Sequence, residues 1–375
     1  MKSFLYDTLL NEENICNLEN EKQLLLRGVL SKKKLVVYGK RNCGKTSLVK
    51  NVIIPEYKAK HKKSFVMFVD LMETKTLDTI HQRIKYGFEQ AFKESFPLQN
   101  SVQNTKQFLL NLRPQIDFDP ITNQPSISLS SIKENQPISF QEIFENIQLK
   151  ISKQIPTLLV LDEFQDIAFV PEAQGLLRNV LQQNRDASII LMGSKRHILS
   201  KIFSHPEAPL ASFGEDIMFP PIDYKKYHAY IMERFQHRKL KINFEDCKQL
   251  QDVLNRCPES INIICSYLYE QYSKHNFSFQ ETYSAIQQVL ERRRGRYEEY
   301  LSNLSVKDEE LLISIAKNGP ILHPNNKEFS KTVNLSNRAI TLKIKAFFDR
   351  SILEKTKEGY AISDSLLNLF LKKFR

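Results

Sequence analysis

Residues 35–50 read Leu-Val-Val-Tyr-Gly-Lys-Arg-Asn-Cys-Gly-Lys-Thr-Ser-Leu-Val-Lys. The first four residues are a short apolar run that predicts a buried strand, and Thr46 to Ile54 predicts a helix ended by Pro55. Between strand and helix, Gly39 to Thr46 matches the pattern GxxxxGK(S/T) without a gap. A glycine-containing loop in this position is typical of a phosphate-binding loop. The stretch therefore predicts an α/β domain that binds a nucleoside triphosphate.

Each residue type in this loop has a physical reason. Gly39 and Gly44 allow the backbone N–H groups to approach the phosphates, and Lys45 reaches the β- and γ-phosphates as a catalytic cation. Thr46 offers a hydroxyl ligand to Mg²⁺. The expected cofactors are therefore ATP and Mg²⁺. The predicted nucleotide contacts are Gly39, Lys40, Arg41, Asn42, Cys43, Gly44, Lys45, Thr46 and Ser47.

A second apolar run, Leu158 to Leu161, is followed directly by Asp162 and Glu163. A strand that ends in Asp-Glu is the usual partner of a phosphate-binding loop. Asp162 is predicted to hold Mg²⁺, and Glu163 to orient or deprotonate the attacking water. The pair predicts hydrolysis as well as binding.

A third strand, Ser188 to Met192, ends in Gly193-Ser194. The carboxyl ends of parallel strands form the ligand crevice of an open α/β sheet. Ser194 is therefore predicted to lie near the γ-phosphate, and Lys195 and Arg196 could also reach it. The alternative is a turn with no catalytic role.

Strands that alternate with helices predict a parallel sheet with helices on both faces. We assign residues 1–220 to this core, with a hairpin inserted at about 98–137 where Asn, Gln, Ser and Pro are frequent. After two prolines the pattern is all helical, which predicts a lid at 221–300. Residues 301–375 show the order helix, helix, helix, hairpin, helix, which is typical of a winged helix.

Composition excludes several classes of protein. The 375 residues are 41% hydrophobic and 26% charged, and no apolar run is long enough to span a membrane. The five cysteines are scattered without a CxxC pair, so neither a disulfide framework nor a zinc site is indicated. No secretory signal is evident, and we expect a cytoplasmic protein. The net charge of +11 permits nucleic-acid contact without requiring it.

The helix predicted over 336–350 is the candidate recognition helix of the winged helix. Residues 300–375 hold thirteen Lys or Arg against eight Asp or Glu. Arg338, Lys343 and Lys345 are predicted on its outer face as contacts to double-stranded DNA. Docking of a protein partner, or self-association, is the open alternative.

The motifs together resemble the archaeal-type ATPases, a branch of the STAND/AAA+ P-loop ATPases that is distantly similar to origin-recognition ATPases. The resemblance rests on Gly39 to Thr46, Asp162-Glu-Phe-Gln, Gly193-Ser194, Ala208-Pro-Leu and Pro221-Ile-Asp-Tyr. It covers about residues 10–290 and extends to a C-terminal winged helix. It implies an ASCE-type ATPase core followed by a helical lid.

The resemblance also implies a lid residue near the nucleotide base, Pro258, although Arg256 and Cys257 stand where the family often has a glycine. The segment 211–215 lacks the arginine that many members carry there, so Arg178 and Arg185 become candidate arginine fingers. Solvent-exposed helix positions are the alternative for both.

Three functions remain open. The first is a slow ATPase that acts as a nucleotide-driven switch for DNA or partner binding. The second is a DNA-binding regulator in which ATP is a structural ligand. The third is a scaffold in a defence or mobile-element system that recruits a protein through its winged helix.

Overall fold

The computed structural model describes residues 4–96, 114–118, 125–129, 139–203, 210–211, 213–324 and 327–375. Most of the predicted insert at 98–137 lies outside this range, as do Ala208 and Pro209. The chain forms two compact units, one of Leu9–Pro220 and one that joins Met1–Thr8 to Pro221–Arg375. Among the described residues, no helix has the length and apolar character needed to cross a bilayer.

The first unit is built on a five-stranded sheet with the strand order β2-β5-β6-β1-β7. All neighbouring strands are parallel. β1 pairs with both β6 and β7, so the loop that follows β1 emerges within the sheet and not at its edge. The strands are β1 (Lys34–Tyr38), β2 (Phe65–Asp70), β5 (Thr157–Asp162), β6 (Ser188–Gly193) and β7 (Glu215–Met218).

Successive residues of a strand point to opposite faces of the sheet, and here they are apolar on both faces, which explains why both faces are covered. In β1, Val36 belongs to one hydrophobic cluster, whereas Leu35 and Val37 belong to the other. Every residue of the central strands β5 and β6 is buried. A strand that is apolar on both sides needs a helical layer on each face, and the predicted α/β class is confirmed.

Within the described part of this unit, seven helices supply the two layers. One layer packs α1 and the run from α2 to α3 against the sheet, and the other packs α4 to α7. These helices are α1 (Glu19–Leu30), α2 (Lys45–Leu48), α3 (Ile54–Lys60), α4 (Leu77–Ser95), α5 (Phe140–Asn146), α6 (Pro171–Gln183) and α7 (Arg196–Phe203).

Pro55 does not end the helix after the loop, contrary to prediction. A π-helical turn at Val49–Ile53 joins α2 to α3, and Pro55 lies in the first turn of α3. Proline is tolerated there because, with the wider turn before it, no carbonyl needs the N–H donor that proline lacks.

Two further strands, β3 (Pro114–Phe118) and β4 (Pro125–Leu129), pair antiparallel with each other and lie within the segment predicted to form an inserted hairpin.

The second unit begins with helices α8 to α12. Two short strands in the loops between these helices, β8 (Lys241–Ile242) and β9 (Asn276–Phe277), pair with each other in parallel. The helical pattern of the sequence did not predict them. The helices are α8 (Tyr224–Phe235), α9 (Phe244–Val253), α10 (Pro258–Gln271), α11 (Phe279–Arg292) and α12 (Arg294–Ser302).

The unit ends in three helices, a hairpin and a last helix, in the order predicted for a winged helix. Ser305 and Ser336 cap the first and third helices by accepting hydrogen bonds from backbone N–H groups. The elements are α13 (Val306–Asn318), α14 (Lys327–Thr332), α15 (Asn337–Asp349), β10 (Leu353–Thr356), β11 (Gly359–Ile362) and α16 (Ser365–Phe374).

Candidate nucleotide site

The loop between β1 and α2 has a backbone that its two glycines make possible. Gly44 has a φ of 90°, in the left-handed region that other residues rarely adopt. At Gly39, a Cβ atom would lie 2.8 Å from the Cys43 sulfur and 2.9 Å from the Phe219 Cβ. The buried Lys45 ammonium donates hydrogen bonds to the carbonyls of Gly39 at 2.9 Å and Lys40 at 2.8 Å.

The other loop residues differ in exposure. Lys40, Arg41 and Asn42 are exposed, and Asn42 has a φ of 60°. The Cys43 sulfur accepts a contact from the Lys45 ammonium at 3.7 Å. Ser47 is buried, and its hydroxyl accepts a hydrogen bond from the Leu10 N–H at 3.1 Å, outside the loop.

The structure brings together the two predicted metal ligands. The Thr46 hydroxyl donates a 2.7 Å hydrogen bond to the Asp162 carboxylate at the carboxyl end of β5. Burial raises the pKa of Asp162 to about 6, against the hydrogen bond from Thr46, which lowers it. A hydroxyl and a nearly buried carboxylate in contact form the oxygen-rich donor set that suits Mg²⁺.

Glu163 follows Asp162 in a left-handed conformation, with a φ of 49°. Its N–H donates to the Asp162 carboxylate at 2.8 Å, and its own carboxylate accepts a 3.0 Å hydrogen bond from the Ser194 hydroxyl. The ends of the adjacent strands β5 and β6 are therefore joined by a direct contact between the predicted base and the predicted γ-phosphate sensor.

Two buried residues of the same cluster were given no role at the site from the sequence, although Gln165 belongs to the Asp162-Glu-Phe-Gln motif. The Gln165 amide donates to the carboxylate of Glu163 and accepts a 3.2 Å hydrogen bond from the Ser194 N–H. Asp166 accepts a 2.8 Å hydrogen bond from the Glu73 N–H, and burial raises its pKa. The available signal was the polar pair Gln165-Asp166, one residue after Asp162-Glu163, in a segment otherwise apolar.

Of the two cations after Ser194, Lys195 lies 3.7 Å from the Asp166 carboxylate and covers the Phe169 ring at 5.5 Å. Arg196, the first residue of α7, is exposed. The candidate arginine fingers Arg178 and Arg185 are also exposed. Arg185 precedes β6 and so lies at the edge formed by the amino ends of the strands, opposite to the edge that holds Asp162.

Pro258 lies in the second unit, whereas the phosphate-binding loop lies in the first. It begins α10, and its carbonyl accepts a 3.2 Å hydrogen bond from the Tyr227 hydroxyl. Its contact with a nucleotide base stays a prediction.

In the winged helix, Ile340, Ile344 and Phe347 of α15 are buried. Arg338 and Lys345 are exposed on the same helix. The Lys343 ammonium instead forms a 2.6 Å ion pair with Asp308 of α13, which occupies it within the fold.

A family model described as a probable winged helix domain matches residues 295–373. Two solved structures share the fold over nearly the whole chain. The Walker-type ATPase of Pyrococcus abyssi is 15% identical, with a TM-score of 0.64, and the alignment covers 98% of this chain and 99% of that one. The Aeropyrum pernix ORC1 protein in complex with DNA is 14% identical, with a TM-score of 0.55, covering 99% and 95%.

No curated protein matches the sequence. The similarity to the two solved structures confirms, at the level of fold, the predicted resemblance to archaeal-type and origin-recognition ATPases.

Proposed function

We propose that this protein binds ATP with Mg²⁺, hydrolyses the ATP slowly, and uses the nucleotide to control binding of duplex DNA or a protein partner. The observation that carries the proposal is the convergence of Thr46, Asp162, Glu163 and Ser194 at the carboxyl edge of the sheet, beside the glycine loop. The fold shared with the Walker-type ATPase of Pyrococcus abyssi supports it.

Each residue has a distinct task in this proposal. The loop N–H groups and Lys45 bind the phosphates, and Thr46 and Asp162 hold Mg²⁺, which neutralises phosphate charge when bound. Phosphate oxygens and water would complete the Mg²⁺ coordination, because Mg²⁺ usually keeps several waters and binds through few protein ligands. Glu163 orients or deprotonates the attacking water, and Ser194 contacts the γ-phosphate.

ATP turnover measured with and without duplex DNA tests the proposal. Glu163→Gln should lower kcat by about 10²- to 10⁴-fold while ATP still binds, because a general base is lost and the phosphate contacts remain. Lys45→Ala should weaken ATP binding itself. The exposed Glu145→Gln on α5 is the matched control and should keep wild-type turnover. A wild-type protein that binds no nucleotide in calorimetry would exclude the ATPase proposal.

For DNA, we assign contacts with phosphates and base edges to Arg338 and Lys345, the two exposed cations of α15. Lys343, which was predicted as a third contact, is assigned instead to the ion pair with Asp308. Because the Aeropyrum pernix ORC1 structure is a complex with DNA, DNA is the first partner to test, as a duplex.

The DNA assignment is tested by the salt dependence of binding. Replacing Arg338 and Lys345 with Gln should reduce the slope of log K against log salt by about 2, one for each lost phosphate contact. Replacing the exposed Lys60 and Lys62 of the first unit removes equal charge and should leave the slope unchanged. An unchanged slope in the α15 variant would favour protein docking.

The two other functions give different results. If ATP is a structural ligand of a regulator, wild-type turnover is negligible and Glu163→Gln leaves DNA affinity unchanged. If the chain is a scaffold, a partner is captured only while residues 300–375 are present, and duplex DNA does not compete.

A further inference from the structure

Gln165 is almost completely buried, with 1% of its surface exposed, and it lies among the charged groups of the proposed site. Its amide nitrogen donates to the Glu163 carboxylate and, at 3.3 Å, to the Asp166 carboxylate. Its amide oxygen accepts the Ser194 N–H at 3.2 Å. Both ends of the amide are therefore used, and they join the end of β5 to the end of β6.

Gly193 has no side chain at the point where Gln165 crosses β6. A Cβ atom at this position would lie 1.9 Å from the Gln165 amide oxygen. The backbone of Gly193 does not have a positive φ, so its conformation does not require glycine. Glycine is required here because the Gln165 amide fills the space that a side chain would occupy. Gln165 and Gly193 therefore form one packing unit across adjacent strands.

The orientation of the Glu163 carboxylate depends on Gln165, because few other groups hold this carboxylate in place. Glu163 itself has left-handed backbone geometry and directly precedes a 3₁₀ turn, Phe164–Phe169. The described hydrogen bonds to its side chain come from Gln165 and from the Ser194 hydroxyl. If the Ser194 hydroxyl turns to another acceptor, Gln165 is the group that still holds the Glu163 carboxylate.

We propose that Gln165 is the positioning residue of the site: it holds Glu163 in the orientation for water activation and couples that orientation to Ser194. This inference rests on the proposed ATPase function. The coupling is mechanical, because a shift of the Ser194 backbone moves the amide oxygen of Gln165, and the rigid amide then moves its nitrogen against Glu163. ATP binding does not require Gln165, because its described contacts are with Glu163, Asp166 and Ser194.

The test uses the full chain and two variants that disrupt the contact between Gln165 and Glu163 in different ways. Gln165→Met keeps the volume and removes the hydrogen bonds, whereas Gly193→Ala keeps Gln165 and displaces its amide. Each should lower kcat by about 10- to 100-fold through misplacement of the base. The Kd of a fluorescent ATP analogue should stay at the wild-type value, and both variants should remain folded at the assay temperature, which circular dichroism checks. Gln183→Met, at the exposed end of α6, is the matched control.

A double-variant comparison separates positioning from a structural role. In the Glu163→Gln background, Gln165→Met should cause no further loss of single-turnover rate, because the group it positions is already gone. An additional loss in that background, a parallel loss of ATP affinity, or unchanged kcat in both Gln165→Met and Gly193→Ala would overturn the inference. A wild type without turnover would instead overturn the proposed function, so the two failures are distinguishable.

Discussion

At the scale of single residues, Gly39 and Gly175 show that the same residue type can be required or replaceable. A side chain at Gly39 would meet Cys43 and Phe219 within 3 Å, so the loop could not keep its path. Gly175 lies inside α6, is exposed, and a Cβ there would have no neighbour within 4 Å. Helix interiors favour alanine over glycine because alanine loses less backbone entropy.

We expect Gly39→Ala to weaken ATP binding by more than 10-fold, and Gly175→Ala to leave ATP binding unchanged while stabilising the first unit by about 0.5–1 kcal/mol. Calorimetry with ATP and urea unfolding measure the two effects. Equal ATP affinity in both variants would contradict the close packing around Gly39.

Thr46 permits a second prediction at this scale. Its hydroxyl contacts the Asp162 carboxylate at 2.7 Å, so it both supplies an expected metal ligand and orients another. Thr46→Ala should raise the Mg²⁺ concentration for half-maximal turnover by about 10- to 100-fold, the usual effect of losing a group that orients a ligand. A Mg²⁺ titration of turnover measures it. Thr46→Ser keeps the hydroxyl and should stay close to wild type.

The glycine loop and the Asp-Glu pair could be predicted because their spacing and neighbouring apolar runs are local features. The role of Gln165 could not, because it depends on a contact between residues 29 positions apart in the chain. The ion pair of Lys343 with Asp308 could not be predicted for the same reason. A helical pattern shows which side of a helix faces outward, but not which residue of another element lies opposite.

At the scale of elements, the ion pair between Lys343 and Asp308 joins α15 to α13 within the winged helix. Burial acts to raise the pKa of Asp308, but the hydrogen bonds from Lys343 and Ser305 outweigh it, and the pKa lies below its ordinary value. A lowered folded-state pKa means that the charged form is favoured by folding. The stabilisation is present above the ordinary Asp pKa and is lost as the pH falls through the lowered value.

Lys343→Met should therefore destabilise the winged helix by about 0.5–1 kcal/mol at pH 7, a typical value for a partly exposed pair. The difference from wild type should disappear in acid, when Asp308 is protonated in both proteins. Unfolding followed at several pH values between 7 and 3 measures this. The exposed Lys345→Met serves as control and should show no such pH-dependent difference.

The helix predicted over 336–350 lies at Asn337–Asp349, because Ser336 marks its start in the sequence. The run across Pro55 was predicted wrongly because the π turn that accommodates the proline is not a property of the proline itself. The two-residue strands β8 and β9 depend on a pairing between segments 35 residues apart, and no local pattern specifies it.

At the scale of the whole molecule, the chain starts in one unit and then builds the other. Residues up to Thr8 belong with Pro221–Arg375, while the intervening segment forms the sheet domain. Phe4 is buried and meets the rings of Tyr230, Phe235 and Tyr269 edge-on at 5.5–6.3 Å. The second unit is therefore completed by residues that precede the first in sequence, which periodicity and motif spacing could not reveal.

Phe4→Ala should destabilise the second unit by about 3–5 kcal/mol, because it leaves a cavity among three aromatic rings. Hydrogen exchange of α8 and α10, which carry these rings, should accelerate, since protection falls with local stability. Leu9→Ala, at a residue that is 45% exposed, removes a similar apolar group without a cavity and should change little. Unchanged protection in Phe4→Ala would mean that Pro221–Arg375 is stable without the first eight residues. Accelerated exchange would mean that any fragment that begins at Pro221 is an incomplete fold, so studies of DNA or partner binding need the full chain.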